Sequence, residues 1–188
     1  MKTVLFINGC LRANHSRTLK IARTYIKKIQ ATEEIQLIER NLATEQIQFL
    51  SGNSFNPKTG EPESHDTSLA EELAAADQII VAAPFWEFLF PAAVSCYFEM
   101  VSVPSITFQY GEHGSEGLCK AESMIYIYTS GDFLNDEDKI GELYLNRLAK
   151  LYGIPHFSTI SLQGLDASPE SADALVEDIC KKITSGTL

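Results

Sequence analysis

Gln78-Ile79-Ile80-Val81-Ala82-Ala83, followed at once by Pro84-Phe85-Trp86-Glu87-Phe88-Leu89-Phe90-Pro91, is the stretch on which the fold turns. After Gln78, the first stretch is a continuous apolar run from Ile79 to Ala83. A strand reads this way when helices cover both faces of its sheet, because no residue then faces water. Downstream, Pro91 suits the first turn of a helix reaching about Ser102, with Val94, Tyr97, Phe98 and Val101 on its inner face. Upstream, Ser68-Leu69-Ala70-Glu71 has capping-box spacing and opens a helix through Ala75.

The same alternation extends both ways. Lys2 to Asn8 is a short apolar strand, and Arg17 to Ala31 is a helix with Leu19, Ala22, Ile26 and Ile29 on one face. Glu34 to Arg40 reads as a second strand. Ser123 to Tyr128 is a further strand, followed by a helix from Asp136 or Glu137 to Tyr152, ended by Gly153 and Pro155. Phe157 to Leu162 is the last strand. Ser168-Pro169 is placed to cap a final helix that turns Ala172, Leu175, Val176, Ile179 and Ile183 inward. Two excursions interrupt the order, Ala43 to His65 and Pro104 to Lys120. The pattern βαβαβαβαβα predicts an α/β fold of three layers, a doubly wound five-stranded parallel sheet in the order 2-1-3-4-5. A length of 188 residues suits one domain, 1–188.

Composition narrows the function classes. The net charge is −10, so a general field that attracts nucleic acid or an anionic membrane is absent. No apolar run approaches the ~20 residues of a membrane span, and Val4 to Ile7 is too short for a signal h-region. Cys10, Cys96, Cys119 and Cys180 show no metal or redox spacing, and the four histidines are scattered. Reduced thiols in a cytoplasmic protein, with no metal site, are the expectation.

In a doubly wound sheet, ligands bind beyond the carboxyl ends of the strands, where the winding reverses. That directs attention to the loops after Asn8, Ala83 and Tyr128. The first, Gly9 to Thr18, runs into a helix and carries Ser16, Thr18, Arg12 and Arg17. Helix N-termini offer unpaired N–H groups to phosphate, although Ser16 is equally suited to be a plain N-cap. Neither GxGxxG nor GxxxxGK[ST] is present. The second loop sets four aromatics among six positions between two prolines, a surface suited to a flat ring system unless the rings pack in a core. The third, Thr129-Ser130-Gly131-Asp132-Phe133, has a glycine for close backbone approach and a serine donor. Together they describe a mononucleotide cofactor.

At these residues the chain resembles the FMN-dependent NADH azoreductases, close to the NAD(P)H quinone reductases. Ser16-Arg17-Thr18 is similar to that family's S-x-S/T loop, with Cys10 where a small hydroxyl residue is usual. Ala82 to Pro91 is similar to its AAP-[MF]-[YW]-N-F-x-x-P segment, and Thr107-Phe108-Gln109-Tyr110 with Gly114 to Leu118 to its TF-x-Y and G-P-EGL stretches. The resemblance covers nearly the whole chain, and Ala82 to Leu118 is its specific part. It implies a flavodoxin-like homodimer in the cytoplasm that binds FMN and passes hydride from NAD(P)H to a quinone or azo acceptor, without a catalytic side chain of its own. It assigns Cys10, Ser16, Arg17 and Thr18 to the phosphate and ribityl end. Phe85, Trp86, Glu87 and Phe88 would hold the ring, Ser130, Gly131, Asp132 and Phe133 would close its other edge, and Phe108 and Tyr110 would wall the substrate pocket.

Two departures stand out. The family carries Asn where Glu87 stands, and a carboxylate there only accepts hydrogen bonds and disfavours negative charge gained on reduction. This predicts a lowered flavin potential or weaker FMN binding unless Glu87 turns outward. The family's S-R-G-G run is Ser130-Gly131-Asp132-Phe133 here, without the arginine. A receiver-domain reading fails on Asn8 and Ala83, where acidic residues are required. A flavodoxin-like electron carrier, or a flavin-poor interaction protein without NAD(P)H turnover, remains the alternative.

Overall fold

The computed structural model describes residues 1–47, 49–54, 57–58 and 66–187. Along the chain these form β1 (Lys2–Asn8), α1 (Arg17–Thr32), β2 (Ile35–Asn41), α2 (Ser68–Ala75), β3 (Gln78–Ala82), α3 (Ala92–Val101), β4 (Phe108–Gly111), β5 (Gly114–Gly117), β6 (Ser123–Thr129), α4 (Ile140–Leu151), β7 (His156–Leu162) and α5 (Ala172–Ser185). Five strands make one sheet in the order β2-β1-β3-β6-β7, parallel throughout. With β6 and β7 as its fourth and fifth strands, this is the order read from the sequence. The winding reverses between β1 and β3, which opens the crevice at their carboxyl ends.

The unbroken apolar strands follow from what covers them. Successive residues of a strand face opposite sides. Val4, Phe6, Ile80, Ala82, Ile125 and Ile127 pack with α1 and α5 on one face. Leu5, Ile7, Ile79, Val81, Tyr126 and Tyr128 pack with α2, α3 and α4 on the other. All five residues of β3, the middle strand, are buried. The inner face expected for α3 is the observed one: Val94, Tyr97, Phe98 and Val101 are all fully buried.

Several local expectations need correction. The capping box placed at Ser68 is not formed. Asp66 Oδ1 accepts the Ser68 N–H at 2.9 Å, Thr67 is the N-cap, and its hydroxyl donates to Glu71 at 2.9 Å. Ser168-Pro169 lies in a turn, and α5 starts at Ala172 after the N-cap Ser171. Leu175 is exposed, and Cys180 takes an inward position instead. The excursion from Pro104 to Lys120 contains the antiparallel β4–β5 hairpin, which glycines at 111, 114 and 117 concealed from a strand reading. The excursion from Ala43 to His65 falls partly on 48, 55, 56 and 59–65, outside the described residues. Its described part includes a short helical turn at Gly52–Ser54. Among the described residues no helix is long and apolar enough to cross a membrane.

Candidate functional site

The three loops at the carboxyl ends of β1, β3 and β6 are laced together at their roots. Gly9 N–H donates to Ala82 O at 2.8 Å, and Ala83 N–H to Ile127 O at 3.1 Å. Phe85 N–H donates to Thr129 O at 2.9 Å. The Thr18 and Thr129 hydroxyls are hydrogen-bonded at 2.7 Å, with both residues buried. A Cβ at Gly9 would collide with Val94 of α3, so glycine lets the first loop leave its strand against that helix. Stretches far apart in sequence, around Ser16, Phe85 and Ser130, thus rise from one place.

In the first loop, Ser16 has extended backbone and its hydroxyl accepts the Leu19 N–H at 3.2 Å, so it is the N-cap of α1. Among the described residues no internal acceptor takes the N–H groups of Arg17 and Thr18. They are the unpaired donors of a helix N-terminus, carrying its partial positive charge. The side chains divide differently from the sequence expectation. Arg17 turns along the helix to Asp173 of α5, at 3.1 Å. Cys10 is buried, its thiol 3.5 Å from Ala82 O, and burial pushes its pKa up to about 11. The loop from Leu11 to His15, including Arg12, is exposed.

The second loop folds back as a tight turn. Leu89 N–H donates to Trp86 O at 2.8 Å, and Trp86 N–H to Leu89 O at 3.4 Å. The two central residues, Glu87 and Phe88, have φ of 50° and 65°. This is the turn of two left-handed residues in which Asn-Gly is favoured, and a longer side chain there is strained. Glu87, Trp86 and Phe88 are exposed, while Phe85 meets Phe88 edge-on at 6.1 Å and Phe90 is buried. The N–H groups of Glu87 and Phe88 have no internal acceptor among the described residues.

The third loop is bound along its length to the segment after β7, which the sequence reading did not single out. Leu165 N–H donates to Ser130 O, Asp166 N–H to Gly131 O at 2.9 Å, and Gly164 N–H to Asp132 O at 3.2 Å. Ser130 is buried, and its hydroxyl donates to Asp132 O at 2.7 Å. A Cβ on Gly131 would strike the Asp166 carboxylate, and one on Gly164 would enter the Phe133 ring. Phe133 is 75% exposed and lies across Gly164. The missed segment, Gln163-Gly164-Leu165-Asp166, follows a strand end and contains a glycine, the same signal that marked the other loops.

Phe108 and Tyr110 are placed apart from these loops. Their hairpin is rooted where α3, α2 and α4 end: Thr107 Oγ1 bonds Val101 O, Lys120 N–H donates to Ala74 O, and Cys119 N–H to Tyr152 O. Those helix ends lead into the amino ends of the strands. Among the described residues no hydrogen bond joins the hairpin to the three loops. Phe108 is buried and meets Tyr110 edge-on at 5.5 Å, while Tyr110 is 78% exposed.

A model of the protein family described as flavodoxin-like fold matches residues 2–185. The chain is 31% identical to FMN-dependent NADH:quinone oxidoreductase 2 of Clostridium acetobutylicum, over 97% of this chain and 96% of that protein. It is likewise 31% identical to an FMN-dependent NADH:quinone oxidoreductase of Clostridium perfringens, over 98% of each. Among solved structures, an azoreductase from Bacillus anthracis superposes with a TM-score of 0.82 at 17% identity, over 98% of both chains. An FMN-dependent NADH-azoreductase of the same species, solved in complex with FMN, gives 0.80 at 16%, over 98% of this chain and 99% of that one. At these identities the solved structures speak for the fold alone.

Proposed function

The chain belongs to the family of flavodoxin-like fold, and from that premise we propose that it is an FMN-dependent NAD(P)H oxidoreductase acting on quinone or azo acceptors. One observation carries the reading: the loops after β1, β3 and β6 share a root at the winding reversal and present open donors and exposed rings there.

The donor set fits the cofactor. The unpaired Arg17 and Thr18 N–H groups at the start of α1 suit a phosphate, with the exposed Arg12 as a nearby cation on the same loop. Glu87, Phe88 and the Gly131 to Phe133 backbone offer N–H groups for the polar edge of a ring, and Trp86, Phe88 and Phe133 offer faces. Cys10 and Ser16 then serve the phosphate end from beneath, as floor and helix cap, and Arg17 by its backbone. Bound FMN supplies the hydride chemistry. The protein's part is to hold the ring and leave one side open to nicotinamide and acceptor in turn.

The same reading makes the protein a cytoplasmic homodimer of one domain each. Four free cysteines suit a reducing compartment. Tyr110, exposed on a hairpin rooted away from its own chain's loops, is suited to wall the site of a second copy, with Phe108 as its buried support.

The deciding experiment adds FMN to purified protein and follows NADH and NADPH oxidation with a quinone. Yellow protein with turnover is expected. Yellow protein without turnover would make it an electron carrier, and a colourless protein would remove the flavin reading altogether.

Glu87→Asn addresses the departure from the family. Asparagine tolerates positive φ better than glutamate, so the variant should gain about 1 kcal/mol and melt about 2–4 °C higher as apoprotein. Removing the carboxylate from the ring side should also raise the flavin potential or tighten FMN. A lower melting temperature would contradict the strain argument. An unchanged potential and affinity would mean that the exposed side chain points away from the ring.

A further inference from the structure

Two tyrosines of β6 stand two residues apart on one face of the sheet, and each supports a different ring-side loop. Tyr126 and Tyr128 stack with centroids 4.9 Å apart and planes 23° from parallel. The Tyr126 hydroxyl donates to Ala83 O, at the root of the second loop, at 3.2 Å. The Tyr128 hydroxyl donates to Glu142 Oε1 of α4 at 2.5 Å and accepts from Gln163 Nε2 at 3.0 Å. The other end of that amide, Gln163 Oε1, accepts the Leu134 N–H of the third loop at 2.9 Å.

Hydrogen-bond polarity leaves this chain one direction. A carboxylate only accepts, so the phenol must give its proton to Glu142. Its remaining lone pairs can only accept, so Gln163 must show it the NH2 group. The amide carbonyl is thereby turned toward Leu134. Burial, and then the Glu142 carboxylate, push the Tyr128 pKa up to about 12, so the phenol keeps its proton at neutral pH. Residue 164, next in the chain, is the glycine beneath the Phe133 ring.

We propose that Glu142, Tyr128 and Gln163 are positioning residues, a relay of fixed polarity that holds the third loop from Ser130 to Leu134 in the form that receives the ring side of FMN. The proposal rests on the flavin reading above and adds residues to it. Without the phenol, the Gln163 NH2 loses its acceptor and the amide is held at one end only. Its oxygen is then less firmly placed on the Leu134 N–H, and the loop's anchor loosens.

The test compares Tyr128→Phe, Glu142→Leu and Glu142→Gln by two readouts. One is hydrogen exchange at the Leu134 amide in the apoprotein, which needs no flavin. The other is FMN affinity, from the fluorescence change on titration. Tyr128→Phe should speed Leu134 exchange about tenfold and weaken FMN by a similar factor, as expected for one lost hydrogen bond, with exchange in β1 and β3 unchanged. Glu142→Leu should do the same. Glu142→Gln keeps an accepting oxygen toward the phenol, so it should stay near wild type, a rescue that general loosening of the fold would not give. Should Tyr128→Phe fail to fold, Gln163→Leu removes the Leu134 anchor from the other end. If wild type binds FMN and Tyr128→Phe leaves Leu134 exchange or FMN affinity within twofold, the relay is wrong and the flavin reading stands. If wild type does not bind FMN, the flavin reading falls and takes the relay's purpose with it.

Discussion

Gly117→Ala should cost about 3 kcal/mol or more and lower the melting temperature by about 6–12 °C, by prising the β4–β5 hairpin from the end of α4. A Cβ built on Gly117 lands on the backbone of Tyr152 and Gly153. Backbone cannot rotate aside as a side chain can, and the neighbouring Cys119 N–H to Tyr152 O bond, 3.1 Å long, holds the two segments together. Gly153 is itself fixed at φ +79°, and a Cβ there would sit 3.1 Å from the Gly117 Cα. The approach is therefore mutual, and neither residue can yield. Gly52→Ala is the control, because a Cβ on Gly52 meets nothing within 4 Å among the described residues. It should melt within about 2 °C of wild type, since open surface positions rarely matter by more than about 0.5 kcal/mol. Differential scanning fluorimetry of both variants decides the matter. A Gly117→Ala protein that melts with the control would show that the hairpin stands off from α4.

Thr18→Val is expected to cost about 1–3 kcal/mol, because it strands the Thr129 hydroxyl in a buried site. The two hydroxyls are 2.7 Å apart and both residues are buried, so neither has water to fall back on. Thr129→Val should cost a similar amount for the mirror reason. The double variant should cost clearly less than the two together, since two valines side by side leave no polar group unpaired. Urea unfolding of the four proteins measures the coupling. Strict additivity would mean that the first and third loops are not joined through this pair. The coupling also bears on function: the pair ties the start of α1, with its open N–H groups, to the strand that feeds the third loop. FMN affinity should therefore fall in each single variant and recover in part in the double.

What could be read from the sequence divides by the range of the forces involved. The inner face of α3, Val94, Tyr97, Phe98 and Val101, was legible because burial repeats at helical spacing and each residue reinforces the others. The N-cap of α2 is Thr67, one residue before the Ser68 that the capping-box spacing points to, because Ser68, Thr67 and Asp66 all offer the same capping chemistry and local pattern cannot rank them. The β4–β5 hairpin escaped notice because its glycines, one of them pressed on another glycine's backbone, erase strand propensity for the sake of a distant contact.

The candidate site divides in the same way. Its location at the loops after Asn8, Ala83 and Tyr128 follows from strand order, and strand order follows from hydrophobic pattern and the handedness of crossovers. The direction of individual side chains does not. Arg17 is claimed by Asp173, 156 residues away, and Glu87 is set by a turn whose two left-handed residues carry no glycine. Gln163, Tyr128 and Glu142 meet only because β6, β7 and α4 are packed together.

Hydrophobic pattern along the chain is enough for a layered parallel sheet and for the edge that is its candidate ligand site, because apolar periodicity is a sum over many residues and survives local exceptions. Which polar group faces which is set by the packing of distant elements, because a hydrogen bond depends on one pair of atoms brought within about 3 Å, and no pattern along the chain encodes that distance.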